Sequence, residues 1–343
     1  MIRSLVLLPP HGDWPAWGGP PPDNGEDLER PYRILATRNF TYRRVELHRF
    51  PLNPAARAHP LFRAIDPIRA LRVLTARRAE IAICFFESSA LVMLLLRRLL
   101  RFRGKVVIVD LGTPEWRPRR ALLNFVVPRA DAILPYSVAQ AAAIRSAWPA
   151  AKLVIPVQAQ VDTDLYRQAP DAPDGPVLAV GDDGSRDYGT LLAAAPGVLG
   201  PIVIRSKRLT NPQVPGLTVL ASPLPFLDYR DLLASASIIV LPLHPFVNGG
   251  GTSVIVQAMA TGKAVVVSAS PGVIDYVEDG VTALVVPCGD AGALRDAVNR
   301  LLTDHDLRRR MGAAARERAM RYNSYEAWAD TLESVARQVS ASN

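Results

Sequence analysis

The residues best suited to chemistry are Gly249-Gly250-Gly251-Thr252-Ser253. They follow the apolar run Ile238-Ile239-Val240-Leu241 and the loop Pro242 to Asn248, and they open an apolar helical pattern, Val254 to Thr261, that Gly262 ends. Three glycines allow a close backbone approach and unusual φ values. The exposed amides and dipole of a helix start suit a phosphate or diphosphate. Thr252 or Ser253 can cap that helix and reach a phosphate oxygen. A flexible turn before a capped helix accounts for the same residues. Arg205 and Lys207 flank the end of another apolar run and are further phosphate candidates, with ordinary surface charge as the competing reading. In the first half, His11 lies in the loop after the first apolar run, either in a catalytic loop or incidental to one.

The elements that must position these residues follow a βαβ rhythm. Strands are expected at Ser4–Leu8, Arg44–Arg49, Ile81–Phe86, Val106–Val109, Ala132–Leu134 and Leu153–Val157, with helices at Pro67–Arg78, Ser88–Arg103 and Val138–Ala147. A proline-rich break, Arg167 to Pro176, reads as a linker. The rhythm then restarts. Strands are expected at Val177–Val180, Ile202–Ile204, Leu217–Leu220, Ile238–Leu241, Ala264–Val267 and Ala283–Val286. Helices are expected at Tyr188–Ala195, Tyr229–Ala234, Ser253–Thr261, Ala291–Thr303, Asp306–Arg321 and Ser324–Val339. The strands lack clean alternation, as expected of parallel sheets covered by helices on both faces. The expected fold class is α/β, with two tandem doubly wound Rossmann-like domains. Residues 1–168 form the first, 169–176 the linker, 177–322 the second, and 323–343 a terminal helix. Ligands of such sheets bind at the strand C-termini, so a cleft between two such edges suits a pair of substrates.

Length and composition agree with this plan. At 343 residues the chain exceeds what one growing core accommodates. It is 49% hydrophobic and 21% charged, a globular balance. Cys84 and Cys288 lack metal-ligand spacing and form no disulfide framework, which fits a reducing, cytoplasmic setting. The first apolar run is too short for a signal peptide, and Arg97 and Arg98 interrupt the longest one, Leu91 to Leu100, before it could span a bilayer. The net charge of +8 is uneven: residues 1–169 hold 25 Lys and Arg against 14 Asp and Glu, and the remainder 15 against 18. The basic half suits an acidic partner, and a solvated arginine-rich surface explains it equally. Arg97, Arg98, Arg101 and Arg103 beside the leucines of Ser88–Arg103, with Arg117, Arg119 and Arg120 after them, could face anionic lipid headgroups while the leucines face the core. That places the chain peripherally on the inner face of the cytoplasmic membrane. No aromatic platform accompanies the basic runs, so nucleic acid is a poor partner.

Gln257-Ala258-Met259-Ala260-Thr261-Gly262-Lys263-Ala264-Val265-Val266 resembles the hallmark of the family 4-type (group 1) glycosyltransferases of the GT-B fold. The run Gly272 to Pro287, Leu301 to Asp304, Arg310-Met311-Gly312, Val161 to Tyr166, and Val180-Gly181 followed by Arg186-Asp187-Tyr188 continue the likeness. The resemblance covers roughly 155–335. It implies a retaining enzyme that moves a sugar from a UDP- or GDP-sugar to a glycan or lipid-linked acceptor, in bacterial cell-surface polysaccharide or glycolipid assembly. It implies no cofactor and no metal, a nucleotide-holding C-terminal domain, and a last helix returning to the N-terminal domain. Carried over residue by residue, Gly18 and Gly19 approach the donor, and Arg186 keeps the charge of the family's lysine. Asp182 replaces the family's arginine. Of the family's two glutamates around the glycine loop, the first falls at Gly249 and the second at Gln257, with Asn248 a neighbouring substitute for the first. Where the family often places a histidine in its first domain, Asp110 and Glu115 are the candidates to bind an acceptor hydroxyl or act as base. The missing glutamates leave a second reading open, a catalytically weak homologue serving as a nucleotide-sugar-binding or scaffold subunit. A third, an epimerase on the same fold, lacks a matching acid/base cluster.

Overall fold

In the computed structural model, residues 4–8, 33–34, 37, 41–44, 80–85, 90–91, 93–95, 97, 102–111, 120–209 and 212–341 are described. His11, Gly18, Gly19, Glu115 and the expected helix Pro67–Arg78 lie outside them. The chain divides into two compact units, one ending at Val157 and resuming at Ala329, the other running from Gln158 to Trp328.

The first unit is built on β1 (Ser4–Leu8), β2 (Thr41–Arg44), β3 (Ile81–Phe85), β4 (Lys105–Val109) and β5 (Ala132–Leu134). They pair in parallel in the order β2-β1-β3-β4-β5. β3 and β4 are buried along nearly their whole length, the signature of strands covered on both faces. Helices α1 (Arg120–Val126) and α2 (Val138–Ala147) close the core around Ile108, Leu123, Val126, Ile144 and Trp148. Ser137 caps α2 by accepting from the Gln140 amide at 3.0 Å. The strand expected at Leu153–Val157 shrinks to one bridge, Ile133 to Val154: the Ile155 and Val157 amides still donate to the Ile133 and Pro135 carbonyls, but Pro135 has no N–H to return a ladder bond. The helix expected to run to Arg103 stops earlier: residues 102–104 are non-helical. Arg97 is engaged within the fold. Its guanidinium donates to Asp131 at 2.9 Å and to the Gly104 carbonyl at 3.0 Å.

The second unit carries six parallel strands: β6 (Val177–Val180), β7 (Ile202–Arg205), β8 (Leu217–Leu220), β9 (Ile238–Leu241), β10 (Ala264–Ser268) and β11 (Leu284–Val286). Their order is β11-β10-β9-β6-β7-β8. The order turns around β6 and β9, and ligands bind open parallel sheets at such a switch point, beyond the strand C-termini. Helices α3 (Tyr188–Ala194), α4 (Phe226–Ser235), α5 (Thr252–Ala260), α6 (Ala291–Thr303) and α7 (His305–Tyr322) cover the sheet. Aspartates start three of them: Asp187 accepts from Thr190, Asp290 from Ala293 and Asp304 from Leu307. The proline-rich run lies within this unit. Pro170 accepts from Lys263 at 3.0 Å, and Asp171 takes two bonds from the buried Arg308 at 2.9 and 2.8 Å. The last helix, α8 (Tyr325–Ala341), starts in this unit, and from Ala329 onward it belongs to the first.

Candidate functional site

Three loops at the C-terminal edge of the second sheet carry the candidate donor-side residues. After β6 comes Gly181 to Asp187, after β7 Ser206 and Lys207, and after β9 the segment that reaches the glycines and α5. Gly181, at φ +139°, turns the chain sharply off β6. A Cβ there would lie 2.2 Å from Arg186 Nε, so only glycine lets this arginine lie across the strand end.

Arg186 is a buried cation beside the glycine loop, its side chain 1% exposed. Nε donates to the Val180 carbonyl at 2.9 Å and Nη1 to Ser185 Oγ at 3.0 Å. Nη1 also pairs with Asp183 at 3.1 Å. The same Nη1 lies 3.3 Å from where a Cβ on Gly251 would stand, so its charge adjoins the glycine loop. Tyr188 supports this corner, donating to the Gly181 carbonyl at 2.7 Å. Burial pushes its phenol up to about 12, which keeps it a donor at neutral pH.

The glycine run opens α5 differently from the sequence expectation. Gly251, at φ +100°, is the N-cap, and no side chain caps the helix. Thr252 faces inward instead: its hydroxyl donates to the Gly249 carbonyl at 2.7 Å and its amide to the same oxygen at 3.0 Å. Thr252 thus closes the turn, and Ser253 makes no cap either. Uncapped first-turn amides and the helix dipole remain as the anion-attracting feature. Gly250 is needed sterically, since a Cβ there would stand 2.5 Å from Ser185 Oγ. Asn248 adjoins these glycines, and its Oδ1 is buried with no hydrogen-bond partner in the structure. Gln257, on α5, accepts from Tyr229 at 2.9 Å through its Oε1.

Arg205 and Lys207 are not equivalent phosphate ligands. Arg205 is buried and donates to Asp182 at 2.6 Å, and its Nε is buried without a partner. Asp182 also accepts from Ser206 at 3.2 Å and from the Lys207 amide at 2.8 Å. Burial raises the Asp182 pKa, but the Lys207 amide and Arg205 outweigh it and hold the carboxyl below its usual value. The side chain of Lys207 is exposed. Sequence reasoning missed Asp183, Ser185, Tyr229 and His244, the last with its Nδ1 3.8 Å from Asp187. Of this loop, the sequence singles out only Asp182, which stands where the family resemblance expects an arginine.

In the first unit, Asp110 follows β4 at φ +54°, a conformation no other non-glycine described residue adopts. Its amide donates to the Leu134 carbonyl at 3.0 Å. Strained backbone of this kind clusters at functional positions. Among the described residues no group of three or more His, Cys, Asp or Glu could hold a metal ion. Nor is any described helix long and apolar enough to cross a membrane.

Residues 224–318 match the family of glycosyl transferases group 1. The alpha-maltose-1-phosphate synthase of Mycolicibacterium smegmatis is 36% identical over 124 residues, 34% of this chain and 31% of that protein. The phosphatidyl-myo-inositol mannosyltransferase of Mycobacterium leprae is 42% identical over 79 residues, 22% and 21% of the two chains. The alignments thus span about a third or less of these curated relatives. By fold, sucrose-phosphate synthase from Thermosynechococcus elongatus superposes with a TM-score of 0.72 at 20% identity, over 99% of this chain and 100% of that one. Anabaena Alr3699/HepE, solved with UDP and glucose, gives 0.69 at 16% identity, over 98% and 100%. The chain therefore has the two-unit Rossmann-like GT-B fold, and its residues 224–318 match the model of the group 1 glycosyl transferases.

Proposed function

We propose that the chain is a glycosyltransferase whose second unit holds a nucleoside-diphosphate sugar, a UDP- or GDP-sugar. The observation that carries this is the meeting of a buried guanidinium, Arg186, with the uncapped start of α5 at Gly250 and Gly251. A diphosphate leaving group develops negative charge as the glycosidic bond breaks. A fixed cation and helix amides stabilise that charge without reorganising. Asn248 Oδ1, buried and unpartnered, offers an acceptor to a donor-sugar hydroxyl beside Gly249. Gln257, oriented by Tyr229, gives the ribose hydroxyls a neutral amide with both donor and acceptor. The Anabaena neighbour is a structure with UDP and glucose, which supports this class of donor. The mycobacterial relative is a mannosyltransferase of phosphatidyl-myo-inositol, which supports a lipid-linked acceptor as well as a glycan, in cell-surface polysaccharide or glycolipid assembly. Transfer proceeds with retention through an oxocarbenium-like state, the departing phosphate taking the acceptor proton. Asp110 is the described candidate to hold the acceptor hydroxyl. Incubating the protein with UDP- and GDP-sugars should release free nucleotide and leave the product's anomeric configuration that of the donor, read by NMR; inversion refutes retention.

Gly249 lacks a side chain and Gln257 a charge, which favours one other reading, a binding or scaffold subunit of low turnover. Under that reading a nucleotide sugar stabilises the chain, yet no nucleotide is released from any donor, with or without acceptor.

A further inference from the structure

The carboxylate of Asp183 sits among the groups proposed to receive the donor's phosphates. It accepts from the Ser185 amide at 2.9 Å and from the Ser185 hydroxyl, and it lies 3.1 Å from Arg186 Nη1. Its Oδ1 is 3.5 Å from where a Cβ on Gly250 would stand, so it borders the glycine loop as well. An anion ringed by an amide, a hydroxyl, a guanidinium and a glycine loop is held as a phosphate oxygen is held.

The two aspartates of this loop differ in how firmly they are bound. Asp182 is 13% exposed, its arginine 4% exposed, and it accepts from three residues. That pair is part of the scaffold. Asp183 is 38% exposed while Arg186 is 1% exposed. The guanidinium is therefore fixed on the protein side, and the carboxylate is its partner on the solvent side. Asp183, the more exposed member of the pair, is the one an entering anion meets first.

We propose that Asp183 is an internal stand-in for the donor's phosphate, a residue that sets donor affinity by competing for Arg186. This rests on the nucleotide reading above. Binding moves the Asp183 carboxylate to solvent, and a phosphate oxygen takes its bonds to Arg186 and the Ser185 amide. While Asp183 is seated, Arg186 is neutralised, and weakly charged anions gain nothing by entering. A diphosphate brings more charge and more acceptor oxygens than a carboxylate, so it prevails.

The test is calorimetric titration of the full chain with UDP, GDP and inorganic pyrophosphate, for wild type, D183N, D183A and R186M. The expected result is tighter binding by D183N and D183A, with Kd lower by roughly three- to tenfold, the effect of one partly exposed charge pair. R186M should bind UDP, GDP and pyrophosphate more weakly than wild type, because the cation that carboxylate and phosphate compete for is gone. Structural damage would weaken binding, so a gain is not a by-product of a perturbed loop. D183A leaves the seat empty where the carboxamide introduced by D183N still occupies it. If wild type binds UDP or GDP and both Asp183 variants bind equally or more weakly, the competitor idea is overturned and the nucleotide reading stands. If no form binds UDP, GDP or pyrophosphate, the nucleotide reading falls and this inference with it.

Discussion

Arg186 shows how one residue's setting decides its chemistry. It was legible as a cation before a helix, but its burial was not, because burial depends on Gly181 leaving room and on a carbonyl six residues back in the chain. Arg205 reads in sequence as a further phosphate candidate or ordinary surface charge, and the structure pairs it with Asp182, a partner 23 positions away that only the β6–β7 register brings close. Charged pairs also set a pH limit on stability. Asp131 accepts from the Val106 amide, Arg97 and Lys152, each at 2.9 Å. Burial raises its pKa, and the Val106 amide, Lys152 and Arg97 together lower it below the ordinary 3.8. A carboxylate depressed in the fold stabilises it above the unfolded pKa and loses that contribution as pH falls through the folded value. D131N should therefore lower stability at pH 7 by about 1–3 kcal/mol. The difference from wild type should shrink below about pH 3.8. Urea midpoints at pH 7 and pH 3 check this, and an equal deficit at both contradicts it.

At the scale of elements, the period of the apolar residues was enough to find the second sheet. All six strands lie within a residue or so of their expected spans, because buried parallel strands read as short unbroken runs of Val, Ile and Leu. Failures came where one residue breaks a pattern that composition carries on, as Pro135 does opposite the strand expected over Leu153–Val157. The glycine loop was visible, but its capping was not: Thr252 has the chemistry of a cap, and the turn directs it to Gly249 instead. Tight contacts between elements are equally hidden in sequence. Gly312, within α7, would place a Cβ 2.2 Å from the Gly262 carbonyl at the end of α5. That contact is backbone and cannot swing aside, so Gly312→Ala should cost about 1–3 kcal/mol in a denaturation curve. An unchanged midpoint would show that α7 shifts freely against the α5–β10 turn.

For the whole molecule, the similarity is unevenly spread. The fold is shared along nearly the full chain with proteins at or below 20% identity, and the family match is confined to 224–318. The more basic first half lies outside that matched span. The central claim is that Arg186 and the start of α5 hold the diphosphate of a sugar nucleotide. Thermal unfolding of wild type and R186M against a panel of UDP- and GDP-sugars tests it most directly, because a ligand at about 100 times its Kd stabilises a fold by about 2.7 kcal/mol. The account predicts that at least one sugar nucleotide raises the Tm of the wild type by several degrees, and that R186M, folded without ligand, loses most of that rise. A rise of equal size in R186M, or none in the wild type with any donor, would contradict it.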